Sequence, residues 1–206
     1  MGFRIFITLV IVACTYFVFE SVRVILVNNA MVKADPEYVL GNPDGDLSVA
    51  VFFDYSCRDC REKLDTLQKA SSADGNIKLI LRPITVISHA EDVPGGHIHS
   101  DTVAYAAAQQ NGFAEMHEVL LDNYRVINEQ ALQDLALLAG IDPTQLKEDV
   151  EDKNVLLYVE DNTKLFVRSR FTGIPAIIIG DKFWFVLNND ISTNELIDLF
   201  RQARGN

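Results

Sequence analysis

The stretch LSVAVFFDYSCRDC (residues 47–60) decides how this chain is read. Leu47 to Tyr55 is rich in Val and Phe and almost free of charge until Asp54, which predicts a buried β-strand. After CRDC comes REKLDTLQKASS, where Leu64, Leu67 and Ala70 recur at helical spacing among charged residues. Cys57 and Cys60 therefore fall at a strand-to-helix junction, with Cys57 near the helix N-terminus. There the unpaired backbone N–H groups and the helix dipole stabilise an anion. A thiolate is such an anion, and it is the reactive form of cysteine. The spacing and its setting point to dithiol–disulfide exchange.

Working outward, the chain has three cysteines, and Cys14 lies in an apolar N-terminal segment, so Cys57 and Cys60 are the only pair beyond that segment. A zinc ribbon needs a second cysteine pair or suitably spaced histidines, and there is no second pair. A disulfide closing a two-residue gap constrains the unfolded chain little, which weighs against a purely structural bond. A redox pair is favoured over a structural disulfide or a metal site. Length and hydrophobic content (206 residues, 49%) suit one domain with a short appendage. Residues 1–34 carry a net +2, so the remainder carries −13 of the total −11. Such a domain repels nucleic acid and anionic membrane surfaces, so nucleic acid is disfavoured as a partner.

Phe3 to Phe19 is apolar except for Arg4, Glu20 interrupts it, and Val22 to Val27 continues it. The apolar run is at or beyond the upper length of a cleaved signal, and the small-residue sites near Ala30 and Ala34 are poor. An uncleaved anchor through residues 3–27, with its N-terminus in the cytoplasm, is the expectation. A cleaved leader is the alternative. Ile11-Val12-Ala13-Cys14 also has the look of a lipoprotein box, although apolar sequence continues after Cys14. Every one of these readings exports the rest of the chain, to where disulfides are made and sorted.

Lys33 to Asp46 is polar and turn-rich, and reads as a linker and lead-in to the first strand. Ile77 to Ile84 reads as a second strand with one buried face (Ile77, Leu79, Leu81) and one mixed face, parallel to the first through a right-handed crossover. The loop SHAEDVPGGHIH follows, then helical stretches at 102–110, 114–124, 128–138, from 142, and 154–170. Ala176 to Ile179 and Lys182 to Val186 read as a hairpin around Gly180-Asp181, and Ser192 caps a last amphipathic helix. The order is β-α-β, a helical block, then β-β-α.

That order, with FFDYSCRDC after the first core strand and TGIPAIIIG (residues 172–180) before the next-to-last one, resembles the bacterial DsbA-like thiol–disulfide oxidoreductases of the thioredoxin superfamily. The resemblance covers residues 45 to 204. It implies an α/β thioredoxin fold with a helical insertion at about 88–171, preceded by the apolar membrane segment at residues 1–34, with the domain over 35–206. It also implies that Pro175 is a cis-proline lying against the cysteine pair, with Ile174 before it offering backbone groups to an incoming peptide. Cys57 becomes the nucleophile and Cys60 the more buried resolving thiol. Arg58 is expected to favour a thiolate at Cys57 and Asp59 to oppose it. DsbA itself has Pro-His between its cysteines, so the Arg58-Asp59 dipeptide leaves the direction of exchange open. Thioredoxins carry a buried carboxylate six residues before the first cysteine, where this chain has Val51. Asp54 is the nearest candidate proton acceptor, against the plainer role of a turn carboxylate or helix-start cap.

His89, His97 and His99, with Glu91 and Asp92, suggest a metal site only weakly, and a polar loop is the commoner explanation. Trp184 is expected to pack as a strand aromatic. The preferred reading is an exported thiol–disulfide oxidoreductase, monomeric, with no cofactor and no metal. It sits in the bacterial inner membrane with its domain in the periplasm, or free in the periplasm if the leader is removed. Its partners are cysteine-containing exported proteins and a membrane redox partner. The rival readings are a Cu(I)-binding metallochaperone using the same cysteines and a non-catalytic thioredoxin-fold adaptor.

Overall fold

A computed structural model describes residues 2–86, 98–123, 127–187 and 191–205. Five strands form one mixed sheet in the order β1-β3-β2-β4-β5. They are β1 (Val39–Gly41), β2 (Leu47–Phe53), β3 (Ile77–Pro83), β4 (Ala176–Ile179) and β5 (Phe183–Val186). β2 and β3 run parallel, and the other pairs are antiparallel. The parallel pair is joined by helix α2 (Arg58–Asp74), which Gly75 ends in the left-handed conformation. Among the described residues, five helices lie between β3 and β4: α3 (Ser100–Ala108), α4 (Phe113–Asp122), α5 (Glu129–Ala139), α6 (Pro143–Asp149) and α7 (Lys153–Ser169). Helix α8 (Thr193–Arg204) closes the chain behind a capping box of Ser192 and Glu195.

The strands alternate between two cores, as the period of two requires. Val49, Val51 and Phe53, with Leu79, Leu81, Ile177 and Ile179, join the larger core, which holds α2, α8 and the helical block. Ala50, Phe52, Ile80 and Ile178 face the other way, into a smaller core. Both faces being covered explains why β2 reads as a continuous apolar run.

Three features differ from the expectation. The lead-in at Lys33 to Asp46 contains strand β1, a three-residue edge paired with β3. It ends at Gly41, where φ is +73° and an added Cβ would lie 2.8 Å from the Ile77 carbonyl oxygen. Glu20 interrupts the apolar run but not the helix, because Gly2–Met31 is one unbroken helix, α1, whose last turns also serve the domain. The mixed face of β3 is not open to solvent at Arg82, which is 3% exposed.

These last two differences have one cause. The last turns of α1 lie on the smaller core, with Val27 and Met31 buried against Phe52, Ile80 and Ile178. Arg82 reaches across to the C-terminus of α1. Its Nε donates to the Met31 carbonyl at 2.8 Å, and its terminal nitrogens donate to the Ala30 and Lys33 carbonyls and to Asn162 of α7. A helix C-terminus leaves carbonyls unpaired and carries the negative end of the dipole, so a buried guanidinium is matched there in both hydrogen bonds and charge. Earlier on α1, Glu20 pairs with Arg23 and Arg170, and Arg23 donates to the Arg168 carbonyl. The segment from about residue 20 onward is thus packed on the domain, while Ile5 to Phe19 stands exposed.

Candidate active site: the Cys57–Cys60 pair

β2 delivers the chain to the site, and a hydrogen-bonded turn passes it into α2. The Cys57 N–H donates to the Asp54 carbonyl at 3.0 Å, and the Asp54 carboxylate accepts from the Ser56 N–H at 2.8 Å and its hydroxyl at 2.7 Å. The second carboxylate oxygen accepts from the Val86 N–H at 2.9 Å, tying the turn to the chain beyond β3. Asp54 is 5% exposed, so it is neither a solvated turn residue nor a helix cap. It is the buried pin of the turn. Arg61 donates to the Tyr55 carbonyl from inside the first turn of α2 and holds the other side.

Cys57 is the N-cap of α2, and its Sγ accepts the Cys60 N–H at 3.2 Å. The sulfur itself thus takes the place of the usual capping oxygen, at the positive end of the helix. Cys57 is half-buried and Cys60 fully buried; both are thiols in this structure. Burial pushes the Cys60 thiol well above the ordinary cysteine range, and its hydrogen bond with Cys57 adds to this, while a backbone hydrogen bond from Asp54 works against it. Arg58 and Asp59 point into solvent, 3.9 Å apart, with their side chains 82% and 57% exposed.

The antiparallel register of β2 and β4 sets Phe52 beside Ala176. Ile174 and Pro175 immediately precede Ala176, so they lie at the end of the sheet where Phe53 and Asp54 lead into Cys57. The Ile174–Pro175 peptide bond is cis, the Pro175 carbonyl accepts from Leu187 N–H at 2.8 Å, and Ile174 packs against the same core as Cys57. The residues singled out from sequence thus gather at one end of the sheet.

Two buried polar groups behind the site carry no motif that marks them in the sequence. His117 of α4 is fully buried; its Nδ1 is 3.0 Å from the Tyr55 hydroxyl and its Nε2 faces Gln68 of α2. Burial lowers its pKa to about 4. The signal was present in the helical period, since 117 shares a face with Phe113, Met116 and Leu120. Asp101, in the first turn of α3, is 2% exposed and accepts from Thr102 N–H at 2.7 Å. Its carboxyl is raised by burial, against a hydrogen bond from Thr85. Among the described residues no group of three or more His, Cys, Asp and Glu side chains could hold a metal ion. His99 starts α3, while His89, Glu91, Asp92 and His97 lie outside the described residues.

Residues 97–193 match the family model of the DSBA-like thioredoxin domain, a stretch that includes Pro175 and begins after the cysteine pair. The chain has the DsbA-like thioredoxin fold. A thioredoxin-like oxidoreductase from Silicibacter pomeroyi is similar over 84% of this chain and 95% of its own, with 28% identity and a TM-score of 0.70. The thiol-disulfide exchange protein alpha-DsbA2 from Wolbachia pipientis is similar over 88% and 97%, with 19% identity and a TM-score of 0.68. A periplasmic thioredoxin-like protein from Salmonella enterica serovar Typhimurium is similar over 87% and 97%, at 18% identity and a TM-score of 0.69. No curated protein matches the chain. In this DsbA-like fold the helical block sits between β3 and β4, and the cysteine pair opens α2.

Proposed function

We propose that this protein is an exported, membrane-anchored thiol–disulfide oxidoreductase that exchanges disulfides with cysteines of other exported proteins. The observation that carries the reading is the asymmetry of the pair: a half-exposed Cys57 sulfur on a helix N-terminus, and a buried Cys60 whose thiol is held protonated. In the reductive direction the Cys57 thiolate attacks a substrate disulfide, the S–S bond breaks, and one substrate sulfur leaves as a thiolate that takes a proton. Cys60 then gives up its proton and attacks the Cys57 sulfur of the mixed disulfide, expelling the second substrate thiolate. Two electrons pass to the substrate and the Cys57–Cys60 disulfide remains. Oxidation is the same sequence reversed.

Burial of Cys60 keeps the resolving step waiting until the mixed disulfide has formed. Ile174 and Pro175 are assigned to substrate contact, and Arg58, Asp59 and Asp54 to tuning the couple. The export and anchoring part rests on α1, which is long and apolar enough to cross a bilayer. A membrane redox partner would reset the pair after each turnover.

The test is substitution of each cysteine in turn. Cys57→Ala should abolish exchange with a dithiol peptide, and Cys60→Ala should accumulate mixed disulfides. Full activity in both variants would sink the reading. The reduction potential of the pair then separates an oxidant from a reductant.

A further inference from the structure

Resting on the membrane-anchored reading above, we propose that the domain is seated on the bilayer surface, with Arg168, Arg170, Lys182 and Trp184 forming a collar that rests in the phospholipid headgroup layer.

The argument begins with length. The fully exposed apolar part of α1, Ile5 to Phe19, spans about 22 Å at ~1.5 Å per residue. A hydrocarbon core is about 30 Å thick. The shortfall of about 8 Å leaves no exposed apolar residue to spare before Glu20, so the headgroup layer falls on the turns from Glu20 to Ile25. Those residues belong to the part of α1 already packed on the domain. The outward side of that part is apolar all the same: Val22 is 50%, Ile25 58% and Leu26 63% exposed. Tilting lengthens the shortfall, since a tilted helix reaches less far along the membrane normal. The helix therefore fills the bilayer only if the domain comes down to meet it.

The residues brought down by that approach suit the interface. On one side of α1, the end of α7 supplies Arg168 and Arg170, both exposed, with the exposed Val167 before them; Arg170 also pairs with Glu20. On the other side, an open cleft separates Val24, Ile25 and Asn28 from Asp181, Lys182 and Trp184 of the β4–β5 hairpin. Trp184 is half-buried against Phe171. Tryptophan and basic residues are the side chains that settle at headgroup level. The remainder of the domain is strongly acidic, so an anionic surface repels it except where cations gather. α1 enters the domain beside those cations, with no flexible linker between the two, so the seating also fixes how the cysteine pair is presented.

Trp184 is the only tryptophan in the chain, so its fluorescence reports on the collar directly. The full-length protein is reconstituted in phosphatidylcholine vesicles containing phosphatidylglycerol, with a nitroxide quencher either on the headgroup or deep in the acyl chain. The expected result is loss of most of the emission with the headgroup label and little loss with the deep one. The double variant Arg168→Glu, Lys182→Glu should escape quenching while resisting carbonate extraction and keeping full thiol exchange. Unquenched emission from carbonate-resistant wild-type protein overturns the seating and leaves the anchor standing. Chain-to-chain cross-linking through Ile25→Cys in that unquenched state assigns the apolar face to a second copy and overturns it too. Release by carbonate removes the anchoring reading and the seating together, and exchange activity in the released protein shows that the oxidoreductase reading is separate.

Discussion

The two faces of the sheet are stabilised by different means. The larger core is closed by α2, α8 and the helical block, with Tyr38 ahead of β2, and among its buried polar groups are a histidine and a carboxylic acid, His117 and Asp101. The smaller core is closed by the last turns of an apolar helix that looks detachable, and its buried ion is an arginine. One face is thus sensitive to protons. The other is insensitive to pH, because a guanidinium does not titrate, but sensitive to where the chain begins. The difference teaches that one apolar helix can stand exposed along its first turns and serve as a layer of the domain along its last.

The sharpest way to break this comparison is to remove the roof. A chain starting at residue 35 loses Val27 and Met31 from the smaller core and strips Arg82 of its Ala30, Met31 and Lys33 acceptors. Uncovering Phe52, Ile80 and Ile178 to water costs about 1.5–3 kcal/mol for each side chain fully exposed, against a total stability of about 5–15 kcal/mol for a domain. That chain should be largely insoluble or lack a cooperative melt by circular dichroism. A chain starting at Glu20, in mild detergent, should melt cooperatively. Equal stability of the two would show that the helix is only a tether.

How much of this was legible follows the range of each signal. Local signals match the structure: the apolar run of β2, the helical spacing of Leu64, Leu67 and Ala70, and the Ser192 cap. The cysteine pair and the Gly173-Ile174-Pro175 turn are both visible as motifs, and the pairing of β4 alongside β2 brings their strand ends to one end of the sheet. β1 was missed because three residues between turns carry no period. Arg82 was assigned to a mixed face because alternation gives the face of a strand and not what covers it. The docking of α1 leaves no trace in the sequence, since a helix apolar on every side shows no stripe to mark which turns pack on the domain. The Tyr55–His117 contact joins residues 62 apart, beyond the reach of any local pattern.

A smaller effect sharpens the contrast between the faces. The folded pKa of His117 is depressed from 6.5 to about 4 by burial. The neutral ring is therefore the one that fits the fold, and its contribution is complete above pH 6.5. As pH falls, the unfolded chain gains a proton that the folded one refuses, so stability drops between pH 6.5 and about 4. At about 1.4 kcal/mol per pH unit the loss approaches 3 kcal/mol. Asp101, raised by burial, acts in the opposite sense over its own range, because its neutral form is the one favoured in the fold. His117→Gln, which stays neutral and still reaches the Tyr55 hydroxyl, should flatten this part of a denaturation series run across pH. Hydrogen exchange in acid should open the α2–α4 side before the α1 side. An unchanged slope in the variant would assign the acid sensitivity to other groups.

The smallest predicted change lies on α8, which packs on the larger core through Leu196 and Phe200. Ser192 accepts the Glu195 N–H, and the Glu195 carboxylate accepts the Ser192 N–H at 2.8 Å and its hydroxyl at 2.7 Å. Removing an N-cap costs about 1 kcal/mol, so Ser192→Ala should lower Tm by about 2–4 °C for a chain of this size. The apolar stripe keeps α8 in place once the cap is gone, so exchange at Cys57 should be unchanged. Ser192→Ala and Glu195→Gln share one interaction, and their effects should therefore add to less than their sum. The same Ser192→Ala substitution tests whether the two faces are independent: amide protection should fall on α8 and stay constant on the docked turns of α1. Loss of protection on both sides would mean that the sheet transmits strain from one core to the other, and that the two faces unfold as a single unit.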